Sequence, residues 1–419
     1  MSEQRGNKFF YDGFVDYACI PDSFEKKFHD MFRKIGVVDY DSIMVYFTDN
    51  KLLMPIIIAL GSFKLKIFLA NANVISDRFQ VKKVKFIITD NNKWEFGLKV
   101  NTFLMLDKKV SIYKINNCEI VGECLEETNY VFYTSGTQGD EKKIVRSSSI
   151  LINEAKAILK KLQWNSQEII LCNAPVFHSF GQAFGCFAAY LARCRVKYFP
   201  SFSLPGHLVR ELQSNHYSVF ISTPLYYNEI YEQLLTIKLK YMLSAGGRLS
   251  IDVINSGLKI NNVYGSTETG VISIQDYKNK GDCGCVGTPV DGVSILIGKE
   301  IFKRENLRLC EIEVSSRYMY TGEIHNGQIE SNKQLSLRTG DIGYVDGSNN
   351  LFVYGRTDEI VNIYGEKISL KDVETVIQKC ELVDKVKLQK EEDLHGSEYL
   401  IAFVIVCKEC CEADILEYC

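Results

Sequence analysis

The segment Tyr133-Thr134-Ser135-Gly136-Thr137-Gln138-Gly139-Asp140-Glu141-Lys142-Lys143 packs hydroxyls, glycines and lysines together. That mixture suits a polyphosphate. Glycine lets backbone N–H groups approach an anion and turn inward. Thr134, Ser135 and Thr137 add hydroxyl donors, Gly136 and Gly139 give the backbone its freedom, and Lys142 supplies compensating charge. The spacing is not the G-x-x-x-x-G-K-[ST] of a Walker A loop. Taken alone, the segment could equally be a solvated Ser/Thr/Gly loop.

The elements around the segment predict how it is held. A strand at 130–133 precedes it, and a helix at 147–162 follows it. Short apolar runs rich in Val, Ile, Phe and Tyr at 43–47, 66–70, 84–89, 169–172, 197–199, 219–222, 241–244 and 261–264 also read as strands. The intervals 51–60, 147–162 and 225–235 carry apolar residues at helical spacing. Such alternation predicts an α/β fold with parallel sheets.

After about residue 283 the texture changes. Alternating segments at 294–297 and 311–315, and the Asp346-Gly347 turn signal, predict a β-rich region. Beyond Gly355-Arg356-Thr357-Asp358, a helix at 370–380 and strands at 385–388 and 400–406 predict a small α+β lobe. The expected organisation is a large N-terminal domain of stacked αβ layers over 1–355, with a β-rich subdomain at about 283–355. A partial, truncated C-terminal lobe over 356–419 follows a hinge at Asp358.

A chain of 419 residues exceeds one compact core. Its net charge of −3 offers no basic field to a nucleic-acid backbone, so nucleic acid is not an expected partner. The polar stretch 1–12 has no signal-type apolar run, and the apolar stretch 52–60 is too short to span a bilayer. A cytoplasmic protein without a membrane partner is expected. In that setting the 14 cysteines read as reduced thiols. Cys407, Cys410, Cys411 and Cys419 cluster near one end, but no second Cys or His pair stands at zinc spacing.

The Tyr133–Lys143 segment resembles the phosphate-loop signature of the adenylate-forming superfamily: acyl-CoA synthetases, luciferases and the adenylation domains of nonribosomal peptide synthetases. That signature reads Tyr-Thr-Ser-Gly-Thr-Thr-Gly-x-Pro-Lys-Gly. Here Gln138, Glu141 and Lys143 replace its second Thr (after Gly-Thr), its Pro and its last Gly. Three further segments match in order. Tyr264-Gly265-Ser266-Thr267-Glu268 resembles the Tyr-Gly-x-Thr-Glu element. Arg338-Thr339-Gly340-Asp341 resembles the Thr-Gly-Asp element. The stretch 355–368, with Val373-Glu374 beyond it, resembles the hinge region. Ser244-Ala245-Gly246-Gly247-Arg248 resembles the Gly-rich turn beside the adenine and acyl pocket.

The resemblance implies ATP-dependent activation of a carboxylic acid as its acyl-adenylate. Transfer to the thiol of coenzyme A or of a carrier protein's phosphopantetheine would follow. ATP and Mg²⁺ are the implied cofactors. Thr134, Ser135, Gly136, Thr137, Gly139 and Lys142 would embrace the phosphates. Tyr264 would stack on adenine beside Gly265, Thr267 would touch phosphate and Glu268 would hold Mg²⁺. Asp341 and Arg356 would grip the ribose, and Asp358 would be the pivot of the small lobe. An aromatic face suits a base, and a carboxylate suits a Mg²⁺ shared with phosphates.

Pro175-Val176-Phe177-His178-Ser179-Phe180-Gly181 resembles the acyl-pocket segment, where amino-acid-activating domains usually place an Asp. His178 cannot compensate a desolvated ammonium as a carboxylate would. A fatty, short-chain or aryl acid is therefore expected. A satisfied core histidine is the alternative reading. The implied catalytic set is Thr134, Lys142, His178 and Glu268.

The resemblance is incomplete in two places. The stretch before residue 133 is shorter than is typical. No Gly-Lys element follows Val406, whose lysine would contact the carboxylate and α-phosphate; its loss would weaken adenylation. Three expectations stand side by side. The chain is shortened; a partner polypeptide supplies the lysine-bearing piece; or the protein is a catalytically impaired binder of nucleotide or acyl-adenylate. An acyl carrier protein is a further candidate partner. A conventional NAD enzyme is disfavoured, because no G-x-G-x-x-G follows a strand.

Overall fold

The computed structural model describes residues 10–11, 13–21, 23–71, 83–91, 94, 97–105, 108–116, 126–135, 141–276, 284–304, 307–325, 328–363, 366–392, 398–407 and 414–415. They fall into two compact units, Met1–Ser294 with Ser315–Leu335, and Ile295–Val314 with Ser336–Cys419. The strands of the expected β-rich region are shared between the two units.

Two sheets build the first unit. In one, Ser42–Tyr46 lies between Lys66–Leu69 and Phe86–Thr89, and Lys66–Leu69 pairs in turn with Asn129–Ser135, all parallel. Lys66–Leu69 and Phe86–Thr89 are buried at every position, so Ile67-Phe68-Leu69 and Phe86-Ile87-Ile88 read as apolar runs rather than alternating ones. In the other sheet, Arg195–Tyr198, Ile169–Cys172, Val219–Ser222, Tyr241–Ser244 and Ile260–Ser266 run parallel in that order. Gly270–Ile274 then turns back antiparallel on Ile260–Ser266.

The helix Ser148–Leu162 connects the sheets in sequence. Ser147 caps it by accepting from the Ile150 N–H, and Gln163 ends it in the left-handed region at φ 55°. Its buried stripe is Leu151, Glu154, Ala155, Ile158 and Leu162, helical spacing with one charged residue on the apolar face. Pro205–Ser214 and Pro224–Leu234 open on proline, which is preorganised for a first helical turn. Among the described residues no helix is long and apolar enough to cross a membrane.

One expectation changes. The segment after Tyr133 does not lead directly into a helix. A strand, Glu141–Ser147, intervenes and pairs antiparallel with Asn129–Ser135. Thr134 and Ser135 therefore lie at the end of a strand, the first arm of a hairpin whose second arm is Glu141–Ser147. The charged start of the second arm, Glu141-Lys142-Lys143, conceals its strand character in the sequence.

In the second unit Leu307–Ser316, Leu337–Val345 and Leu351–Arg356 pair antiparallel in order. The hairpin Val383–Glu392/Glu398–Val406 packs one face on the helix Leu370–Ile377 through Val361, Leu370, Ile377, Val383 and Leu388.

Candidate active site

Open α/β sheets bind ligands beyond the carboxyl ends of their parallel strands. In the second sheet of the first unit several of the candidate residues lie there. His178 follows Ile169–Cys172, Gly246 and Gly247 follow Tyr241–Ser244, and Tyr264 lies near the end of Ile260–Ser266. Gly246 has φ +86°, a backbone only glycine adopts freely, so the turn can leave the sheet at once. Gly265 is held by packing: a Cβ there would sit 2.4 Å from the Gly270 carbonyl oxygen.

The hairpin and the Tyr264–Glu268 strip meet. Tyr320 N–H donates to the Glu268 carbonyl at 2.7 Å, and the next residue, Thr321, donates its N–H to the Val145 carbonyl at 2.8 Å. Val145 is on the second arm of the hairpin, three residues beyond Lys142. Lys142 stands opposite Thr134 across the ladder; Lys142 is exposed and Thr134 half-buried. Gly136, Thr137 and Gly139 lie outside the described residues, as does the side chain of Ser135.

The segment 175–181 joins the same neighbourhood. Ser179 Oγ lies 3.4 Å from Thr267 Oγ1. His178 is exposed at the head of a short helical turn, its ring 4.7 Å from that of Phe177. It is thus not a core histidine. Surrounding protein desolvates the ring and lowers its pKa, which favours the neutral form. Gly181 packs tightly, since a Cβ would come within 2.3 Å of the Pro175 carbonyl oxygen. A buried π-helical stretch, Gln182–Ala188, continues from it.

Glu268 is half-buried. Among the described residues no hydrogen-bond donor or cation engages its carboxylate, while its backbone carbonyl is fixed by Tyr320. A single open carboxylate fits Mg²⁺, which prefers one or two protein carboxylates plus phosphate oxygens and waters.

In the second unit Asp341 and Arg356 are cross-strand partners, with Arg356 Nη1 3.5 Å from Asp341 Oδ1. Arg356 Nε also lies 3.2 Å from Asp358 Oδ1. Gly340, at φ +74°, brings its backbone against the arginine: a Cβ there would be 3.0 Å from Arg356 Nη2. Thr339 steadies this irregular stretch of the strand Leu337–Val345 by donating to the Ile312 carbonyl at 3.0 Å and accepting from the Asp341 N–H at 3.1 Å. Cys407 is exposed, and Cys410, Cys411 and Cys419 lie outside the described residues.

Sequence reasoning missed a pair beneath the site. Arg146 and Glu154 are both buried, with Arg146 Nη2 2.9 Å from Glu154 Oε2. Each leaves only a faint trace of its own, and neither points to the other. Glu154 falls on the apolar stripe of its helix, and Arg146 continues a run of buried residues, Ile144-Val145.

A family model described as AMP-binding enzyme matches residues 59–305. The 2-succinylbenzoate–CoA ligase of Enterococcus faecalis is 24% identical over 313 residues, covering 70% of this chain and 63% of that protein. The malonate–CoA ligase of Arabidopsis thaliana is 23% identical over 296 residues, covering 63% of this chain and 48% of that protein. This chain therefore spans about half to two thirds of the length of these relatives. The fold is similar to that of o-succinylbenzoate CoA synthetase from Bacillus subtilis, solved in complex with its acyl-adenylate intermediate. The TM-score is 0.74 at 18% identity, over 95% of this chain and 85% of that one.

Proposed function

The chain belongs to the AMP-binding enzyme family, and we propose that it activates a carboxylic acid with ATP and passes the acyl group to a thiol. The observation that carries this reading is the meeting of the Thr134/Lys142 hairpin with Thr267–Glu268 through Tyr320 and Thr321. That two such segments, distant in sequence, meet supports their acting on one polyphosphate.

The first step joins a carboxylate oxygen to the α-phosphorus of ATP and breaks the bond to pyrophosphate. Such chemistry rests on positioning and on charge neutralisation. Lys142, the Thr134 hydroxyl and Thr267 would act on the phosphates. Glu268 would hold the Mg²⁺ that neutralises phosphate charge. Tyr264 offers a face to adenine, Asp341 and Arg356 take the ribose hydroxyls, and Asp358 is the pivot of the lobe. In the second step a thiol sulfur attacks the acyl carbon and AMP leaves. Coenzyme A is the favoured acceptor, since the two relatives are named as CoA ligases. A carrier-protein phosphopantetheine offers the same thiol.

The acid is a non-amino acyl or aryl acid. His178, neutral and beside Phe177, offers no negative charge to an ammonium.

Pyrophosphate exchange with a panel of acids tests the reading, with and without an added C-terminal fragment from a longer relative. Exchange with acyl or aryl acids, and none with amino acids, is expected. Nucleotide binding with no exchange under either condition would overturn it and leave a binding protein of the same fold.

A further inference from the structure

Under the proposed site, four segments close a ring of directional contacts around one buried ion pair. Arg146 leaves the second arm of the hairpin with a side chain 0% exposed. Its Nη2 donates to Glu154 Oε2 at 2.9 Å and to the Tyr318 carbonyl at 3.0 Å. The second carboxylate oxygen, Glu154 Oε1, accepts from the Val271 N–H at 2.7 Å. Val271 comes three residues after Glu268. Gly270, between them, is pressed onto the pair: at φ +72°, a Cβ would lie 2.7 Å from Glu154 Oε1 and 2.8 Å from Arg146 Nη2.

The pair is a poor device for stability. Burying two charges costs several kcal/mol per ion, and apolar replacements of like volume are often neutral or better. Here the cost is sharpened, because Arg146 Nε and Nη1 are buried with no hydrogen-bond partner among the described residues. What the pair does supply is register. One end is bonded into the strand that carries Lys142, and the other holds the backbone just beyond Glu268. Tyr318, caught by the arginine, begins the stretch whose Tyr320 and Thr321 bond to Glu268 and Val145.

We propose that Arg146 and Glu154 are positioning residues that set the separation between the Lys142 hairpin and the Thr267–Glu268 strip. They touch no substrate; they fix where the phosphate cation and the metal carboxylate stand relative to each other. The inference rests on the proposed function, because it assigns those two groups to one nucleotide.

The test is the double variant Arg146→Met with Glu154→Met, beside Glu154→Gln. Pyrophosphate exchange is measured with Mg²⁺ and ATP, together with ATP affinity by calorimetry with and without Mg²⁺. The double variant is expected to melt at or above the wild-type temperature. Its exchange rate should nonetheless fall about a hundredfold, the scale expected of an ångström-level misplacement at a reacting centre. The gain in ATP affinity on adding Mg²⁺ should shrink with it. Glu154→Gln keeps an acceptor for Val271 but loses the charge; it is expected to fold and to show the same shift more weakly. A double variant that is stable and exchanges at the wild-type rate, with its Mg²⁺ dependence intact, overturns the inference and leaves the proposed function standing. Wild-type protein that neither exchanges nor binds ATP removes both.

Discussion

Lys142 stands directly across the hairpin ladder from Thr134, and it is the exposed member of the two. Its neighbour Lys143 is placed differently, with Nζ 5.9 Å over the Tyr133 ring. One lysine is therefore exposed beside the proposed phosphate segment while the next lies over an aromatic face. Lys142→Met should reduce pyrophosphate exchange by about a hundredfold, the usual loss for one preorganised donor. Stability should move by less than about 0.5 kcal/mol, as for an exposed site. Lys143→Met should leave exchange within a few-fold. Equal effects from the two lysines would show that only general positive charge matters.

Gly270 and Gly257 separate strain from collision. Both have positive φ, +72° and +81°. Nothing lies within 4 Å of a Cβ at Gly257, whereas one at Gly270 meets both members of the buried ion pair. Alanine at Gly257 should cost about 1 kcal/mol through backbone strain alone. Alanine at Gly270 should cost clearly more and lower exchange as well, because Val271 and Glu268 must shift. Denaturant melts of both variants measure the difference. Equal costs would mean that the contact at Gly270 relaxes without consequence.

The segments proposed to bind nucleotide are legible in the sequence because their chemistry is local. Tyr264–Glu268 carries its aromatic, hydroxyl and carboxylate within five residues, and Arg338–Asp341 brings its hydroxyl, glycine and carboxylate together at adjacent positions. The parallel strands are legible too, since burial on both faces leaves apolar runs such as Val219–Ser222. The Arg146–Glu154 pair is not. Its members are eight residues apart on different elements, so neither the strand period nor the helix period brings them together. Arg146 also follows Lys142-Lys143 closely and reads as part of a solvated basic run. The link from Glu268 to the hairpin is hidden for another reason. It passes through the backbone of Tyr320 and Thr321, and main-chain bonds leave no residue signature.

Asp341 is tested by the sugar. If its carboxylate grips ribose hydroxyls, Asp341→Asn should raise the KM for ATP about tenfold or more, because a hydrogen bond to a charged group is worth ~1.5–3 kcal/mol. The preference for ATP over 2′-deoxy-ATP should narrow in the variant. Thermal stability should hardly change, since the pairing with Arg356 is long at 3.5 Å and solvent-exposed on the arginine side. An unchanged preference for ATP over the deoxy analogue would release Asp341 from that role.

The helix behind the hairpin is tied down by Glu127. Its carboxylate accepts from Ser148 Oγ at 2.6 Å and from the Ser149 N–H and Oγ, each at 2.7 Å. Burial alone would raise its pKa, but the donors from Ser148, Ser149 and Ser147 outweigh that and hold it below the ordinary value of 4.5. The folded protein thus favours the ionised form. The stabilisation is complete above the unfolded pKa and fades as the pH falls from about 4.5 through the lower folded pKa. The carboxylate also sits at a helix N-terminus, where negative charge is favoured. Glu127→Gln should lower stability at neutral pH and flatten the acid limb of the stability curve below about pH 4.5. Urea midpoints taken between neutral and acid pH measure this; a variant whose acid limb is as steep as the wild type's would remove Glu127 as the titrating clamp.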